Sequence, residues 1–195
     1  MIYSRKVAFI ILMLSSAVVY SESLLIQDVT ILDGKNNEPF VGNVLIDDNK
    51  ISKVSTSSLR GDVVINATGK ILTPGIISTD TEIGIVEIGA LSITRDDSSS
   101  LYKIGFSIYD AFNPNSVLIP WNRSNGITST LTLPQDTNSP IGGLGSFFVL
   151  DSSLEISGSK DVVMIGRVGG SRGKSRAETF SIIEDLLEFA SSIDS

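Results

Sequence analysis

The chain has 195 residues, 42% hydrophobic and 19% charged, a globular balance with room for one ordinary domain and a sizeable core. Its net charge of −7 argues against a nucleic-acid or anionic-membrane partner. Cysteine and histidine are both absent, which excludes disulfides, thiolate nucleophiles, Ser-His-Asp arrangements and imidazole or thiolate metal ligands.

Arg5 and Lys6 precede an apolar run from Val7 to Val19, and Val19-Tyr20-Ser21-Glu22 places small residues at the offsets of a cleavage site. The run is about 13 residues, short of the ~20 that span a bilayer. Residues 1–21 therefore read as a secretory signal peptide. The mature chain is expected to start near Glu22, to be periplasmic or secreted, and to have no stable membrane insertion once the leader is cleaved. Losing Arg5 and Lys6 makes it still more acidic.

From Leu24 to Val64 short β-rich runs alternate with turn residues: Leu24 to Leu32, the turn Asp33 to Asn37, Val41 to Ile46, the turn Asp47 to Lys50, and Ile51 to Val54. Asp33-Gly34 and Asp48-Asn49 tolerate the backbone that tight turns need, and Val44, Ile46, Ile51 and Val54 are predicted on one face of a small antiparallel sheet. A strand at Asp62 to Ile65 and a turn at Asn66 to Gly69 complete this part.

Ile71 to Ile77 is almost wholly apolar, which predicts one strand buried on both faces of a parallel sheet. It leads to Asp80 and Glu82. Two residues apart at a strand end, these carboxylates are predicted to share a face. The spacing alone fits either polar residues where a strand meets its loop or a pair of oxygen ligands for a hard cation. Ile83 to Gly105 is a long connection whose Thr94 to Ser100 centre is loop by composition, with Asp96 and Asp97 read as an exposed acidic turn in preference to a cation site. Phe106 to Phe112 is predicted as a short helix. A second begins after Asn113 to Ser116 and stops at Gly126, shortened or kinked by Pro120.

Ile127 to Leu133 is the next strand, closed by Pro134. Ser146 to Leu150 is another, with Ser153 to Ile156 as its expected partner, and Asp161 to Ile165 is a further strand of the main body. The last element is a helix from Ser175 to Ser191: Ser175-x-x-Glu178 is a capping box, and Phe180, Ile183, Leu186, Leu187 and Ala190 recur at helical spacing. Between strand and helix, Gly166 to Lys174 matches neither phosphate-binding glycine pattern and reads as a flexible loop. Arg167, Arg172, Lys174 and Arg176 make it the basic patch of an acidic chain, the place where an anion would bind.

Four separated blocks occur in a familiar order: Leu24 to Gly34, Gly42 to Ile51, Val64 to Lys70, and Thr73-Pro74-Gly75-Ile76-Ile77. Together they resemble the opening of metal-dependent amidohydrolases. Asn113 to Ser116 and Asn125 to Ser129 are similar to that family's first helix and second barrel strand. The resemblance implies a (β/α)8 barrel flanked by a small β-sandwich, with a divalent metal, zinc by default, activating water for hydrolysis of non-peptide C–N bonds. In that pattern the strand after the T-P-G block ends in H-x-H, two metal ligands. Here Asp80-Thr81-Glu82 stands at those positions, exchanging two imidazoles for carboxylates and disfavouring the usual zinc chemistry.

The expected fold class is therefore α/β with a β-rich N-terminal part, an incomplete TIM-like barrel plus part of a small β-sandwich. The expected division is a signal peptide at 1–21, a sandwich segment at 22–69 and a truncated barrel at 70–195. A whole barrel takes about 250 residues and eight strands, and the family's remaining ligands lie on strands beyond those present. The expected function is that of an exported amidohydrolase-related protein, inactive as this chain, with any metal weakly held at Asp80 and Glu82 and a small-molecule substrate left unnamed. A non-catalytic ligand- or partner-binding relative is the alternative, and homo-oligomerisation is left open.

Overall fold

Alternating residues and tight turns build the first sheet. β1 (Leu24–Ile31) pairs antiparallel with β2 (Phe40–Asp47), which turns back into β3 (Lys50–Ser55). Asp48 and Asn49 carry that turn at φ 49° and 58°, the twist a two-residue hairpin needs and Asn and Asp tolerate. The structure is a computed structural model and describes residues 22–35, 38–135, 137, 139–167 and 175–193. The expected signal peptide, the Asn36-Asn37 part of the first turn, and Arg172 and Lys174 of the basic loop lie outside the described residues.

β4 (Val63–Asn66) and β5 (Ile71–Leu72) both run parallel to β1, the first against Leu24–Gln27 and the second against Thr30–Ile31. A bulge between Ile26 and Val29 puts Asp28 at φ 57°. Buried Asn43 compensates for the broken ladder: its Oδ1 accepts from the Asp28 amide at 3.0 Å and its Nδ2 donates to the Ser57 carbonyl at 3.0 Å. Val29, Ile31, Val44 and Ala67 form the buried centre. Val44, Ile46, Ile51 and Val54 do share one face, where with Ile26, Ile31 and Leu72 they line an open apolar groove.

The apolar run from Ile71 to Ile77 is two strands, not the predicted one. Pro74 has no N–H to give to a ladder, and the chain breaks there. β5 stays with β1, while β6 (Ile76–Thr81) enters a second sheet, and the two compact units of the chain divide between Pro74 and Gly75. Burial on both faces is not found either. β6 lies at the sheet edge and pairs with one neighbour, so Ile76 and Ile77 are more than half exposed.

The second unit carries the sheet β6-β7-β8-β9. β6 and β7 (Ile127–Thr132) are parallel, joined by a long connection that ends in α1 (Leu118–Ser124). β8 (Ile141–Val149) and β9 (Gly158–Gly166) then continue antiparallel. A barrel of β/α units runs its strands parallel, and here the β6–β7 pair does so. β8 pairs with β7 and β9 and not with Ser153 to Ile156. That segment is tied into turns by the Asp151 carboxylate, which accepts from the Ser153 amide, and by the Ser153 hydroxyl, which accepts from the Glu155 amide. The architecture is mixed α/β, strand-rich, with two sheets and few helices.

The predicted helix at Phe106 to Phe112 shrinks to a 3-10 turn at Tyr109–Ala111. α1 forms as expected and stops where Gly126 takes φ 90°. Pro120 is not a break, because it sits in the first turn, where its missing N–H has no partner inside the helix to lose. Ile85, Val86, Ile108, Phe112, Ile119, Phe148 and Leu150 make the core of this unit, so the connection between β6 and β7 supplies most of what covers the sheet.

The closing helix, α2 (Arg176–Ile193), starts where the capping box places it, with the Glu178 amide donating to Ser175 Oγ at 3.1 Å. Its apolar side chains Phe180, Leu187 and Phe189 stay exposed and Thr179 is its buried residue, so local capping bears more of its stability than packing does. Ser175→Ala is expected to cost α2 about 1 kcal/mol, read as reduced helical ellipticity at 222 nm with the sheet contribution unchanged. No helix among the described residues is long and apolar enough to cross a membrane.

Candidate polar site at the end of β6

Asp80, Thr81 and Glu82 do not follow simple strand alternation. The β6–β7 register runs Thr79 opposite Leu131 and then Thr81 opposite Thr132, leaving Asp80 as the extra residue of a bulge at φ 55°. A slip of one residue exchanges faces. Thr81 therefore takes the position beside Thr132 that unbroken alternation would give to Asp80. Asp80 is exposed, and its side chain makes no hydrogen bond or ion pair to another described residue.

Thr81 begins a line of hydroxyls. Its Oγ1 lies 2.5 Å from Thr130 Oγ1, which lies 3.4 Å from Thr132 Oγ1, and Thr132 donates to the Ile83 carbonyl at 3.0 Å. Thr130 and Thr132 are fully buried. β-Branched threonine suits the strand and satisfies its own hydroxyl in the row, so the ends of β6 and β7 are joined by hydrogen bonds where an apolar pair would otherwise sit.

Glu82 turns toward the long connection. One nitrogen of Arg95, Nη2, donates to Glu82 Oε1 at 3.4 Å and to Asp97 Oδ2 at 2.5 Å, while Nη1 reaches the Gly89 carbonyl at 3.1 Å. The hydrogen bond to Asp97, with the two carboxylate charges, raises the Arg95 guanidinium above its already high ordinary value, so it is charged at every working pH. Asp97 is 1% exposed, contrary to its reading as part of an exposed acidic turn. Its carbonyl accepts from the Gln135 amide at 2.7 Å just after β7, which draws the loop over the strand ends and carries the carboxylate inside. The burial is tolerable because a guanidinium comes with it. Oδ1 of Asp97 is buried with no hydrogen-bond partner among the described residues.

Arg95 and Asp97 are the members of this site that sequence spacing does not reveal. Their signal, an Arg-Asp-Asp triplet in a polar loop, is indistinguishable from a solvated turn until the loop closes. In the predicted basic loop, Arg167 donates to the Pro134 carbonyl at 3.2 Å and to Gln135 Oε1 at 3.3 Å, a structural use of the guanidinium at the edge of β9. Among the described residues no three carboxylates gather as a metal-holding group.

No family model matches the chain. Over 67 residues, 33% of its length, it is 42% identical to 5'-deoxyadenosine deaminase of Methanothermobacter thermautotrophicus. In fold, 87% of it superposes on an amidohydrolase from Thermotoga maritima with a TM-score of 0.73 and 22% sequence identity. The chain therefore shares the fold of that amidohydrolase over most of its length. The matched parts amount to 15% of the deaminase and 48% of the Thermotoga amidohydrolase, so the chain spans less than half of either relative. The amidohydrolase likeness in fold runs over most of this chain, whereas the sequence likeness is confined to a third of it.

Proposed function

We propose that the chain is an exported, non-catalytic relative of hydrolases acting on non-peptide C–N bonds, with part of a small β-sandwich in its first unit and the opening of a (β/α)8 barrel in its second. The observation that supports this is the end of β6. A metal that activates water needs several ligands converging on one point and an open coordination position. Of the two residues that the resemblance sets against the family's imidazoles, Asp80 stands in an exposed bulge and Glu82 is engaged by Arg95. This donor set does not fit the family's metal. The residues present hold two parallel strands and their connection together. A ligand-binding role for the first unit is the second reading, favoured by its open apolar groove of about 430 Å³.

Expression of the complete chain in a secreting host, followed by mass spectrometry of the product, is expected to give a start near Glu22. The purified product, supplied with Zn²⁺ or Mn²⁺, is expected to turn over neither 5'-deoxyadenosine nor a panel of cyclic amides, and to retain less than stoichiometric metal after dialysis. Turnover, together with a stoichiometric ion that is lost in Asp80→Ala and Glu82→Ala, would overturn the non-catalytic reading.

A further inference from the structure

We infer that Arg95 is a built-in cation that takes the place of a metal at this strand end, and that its guanidinium is what keeps divalent ions out. The inference rests on the misfit of the donor set described above and adds a reason for it. Glu82 directly follows β6, Asp97 lies in the connection and is held just past the end of β7 through the Gln135 amide, and both carboxylates converge on the same Arg95 nitrogen, at 3.4 and 2.5 Å. Two carboxylates drawn to one point are an oxygen donor set for a hard cation, whose ligands stand at about 2.0–2.6 Å. Here the point is filled by a charged nitrogen of the chain itself. Its geometry is planar and its charge permanent, so it neither dissociates nor exchanges.

The surroundings hold the guanidinium in place. The backbone of Arg95 bridges antiparallel to Val86, its amide donates to the Ser92 carbonyl at 3.2 Å, and Nη1 is fixed on Gly89. The next residue returns the same way, with the Asp96 amide on the Ile85 carbonyl at 2.9 Å. Ile85 and Val86 belong to the core of the unit, so the arginine is anchored to a packed segment rather than swinging on a free loop. Asp97 shows what would follow its removal. Among the described residues its Oδ1 already lacks a hydrogen-bond partner, and without Arg95 its Oδ2 would lack one there too, leaving a buried charge that needs a cation or a proton.

The test compares melting of the full chain and of Arg95→Met, with and without Mn²⁺, and titrates Mn²⁺ calorimetrically. Wild type is expected to melt at one temperature whatever the Mn²⁺ concentration and to show no saturable binding. Arg95→Met is expected to melt lower, to bind Mn²⁺ saturably in roughly the 10⁻⁴ to 10⁻³ M range of weak oxygen sites, and to recover part of the lost melting temperature when it does. Should Arg95→Met not fold, the double variant R95M/D97N removes the buried charge along with its counter-ion. It is expected to fold, to melt between wild type and the single variant, and to ignore Mn²⁺. A wild type stabilised by Mn²⁺, an Arg95→Met that melts like wild type, or a double variant that still responds to Mn²⁺ or fails to fold would each overturn the inference. Turnover by the wild-type chain would defeat the non-catalytic reading while leaving this melting comparison to stand or fall by itself.

Discussion

Phe148→Ala is expected to lower the unfolding free energy by roughly 3–5 kcal/mol, the cost of emptying a closed aromatic site. Phe148 is fully buried, its ring lies 3.8 Å from that of Phe112 with 12° between the planes, and Tyr109 stacks on it at 5.6 Å. One side chain of β8 thus secures the connection between β6 and β7, which has little regular structure of its own. Removing the ring takes away its transfer free energy and leaves a cavity the stacked partners cannot all collapse into. Phe148→Leu, which keeps much of the volume, is expected to cost less than Phe148→Ala. Urea unfolding followed by fluorescence of Trp121, which lies in α1, reads both. Equal stabilities for wild type and Phe148→Ala would show that the connection is held elsewhere.

Gly84→Ala is the second large effect, expected at about 3 kcal/mol from backbone strain and overpacking together. Gly84 has φ 84°, and a Cβ there would lie inside the contact distance of three Phe112 ring carbons, with Cζ at 3.0 Å. The Gly84 carbonyl also accepts from the Asn113 amide at 2.7 Å, so the backbone is not free to rotate away. Because Gly84 follows Glu82 by two residues, the strain also displaces the end of β6. Adding Phe112→Ala is expected to relieve the clash without relieving the φ strain. The two changes should therefore be less than additive in a urea double-mutant cycle, and simple additivity would count against the proposed contact.

Much of the outline was legible along the chain. Asp48-Asn49 announced a hairpin because the residue types suit positive φ, the capping box placed the start of α2 to within one residue, and the apolar spacing placed its end to within two. Gly126 ended α1 for the same local reason. The misreadings have a common origin. Ile71 to Ile77 looks continuous by hydropathy, yet Pro74 hands its two halves to different sheets. Ser153 to Ile156 has strand-like residues, but Asp151 and Ser153 bond to the nearby backbone and hold it in turns.

The candidate site divides along the same line. The resemblance that sets Asp80, Thr81 and Glu82 against an H-x-H pattern, and the absence of any histidine, are both read from the sequence alone. So are turn chemistry, capping and the absence of thiol or imidazole chemistry, because each depends on residue identity or on neighbours a few positions apart. Which carboxylate faces inward, and what neutralises it, was decided by tertiary structure. The bulge opposite β7 sets Asp80 apart, and closure of the connection brings Arg95 and Asp97, 13 and 15 positions beyond Glu82, to the end of β6. The physical reason is that a buried ion pair depends on where two strands end in space, and no local propensity carries that information.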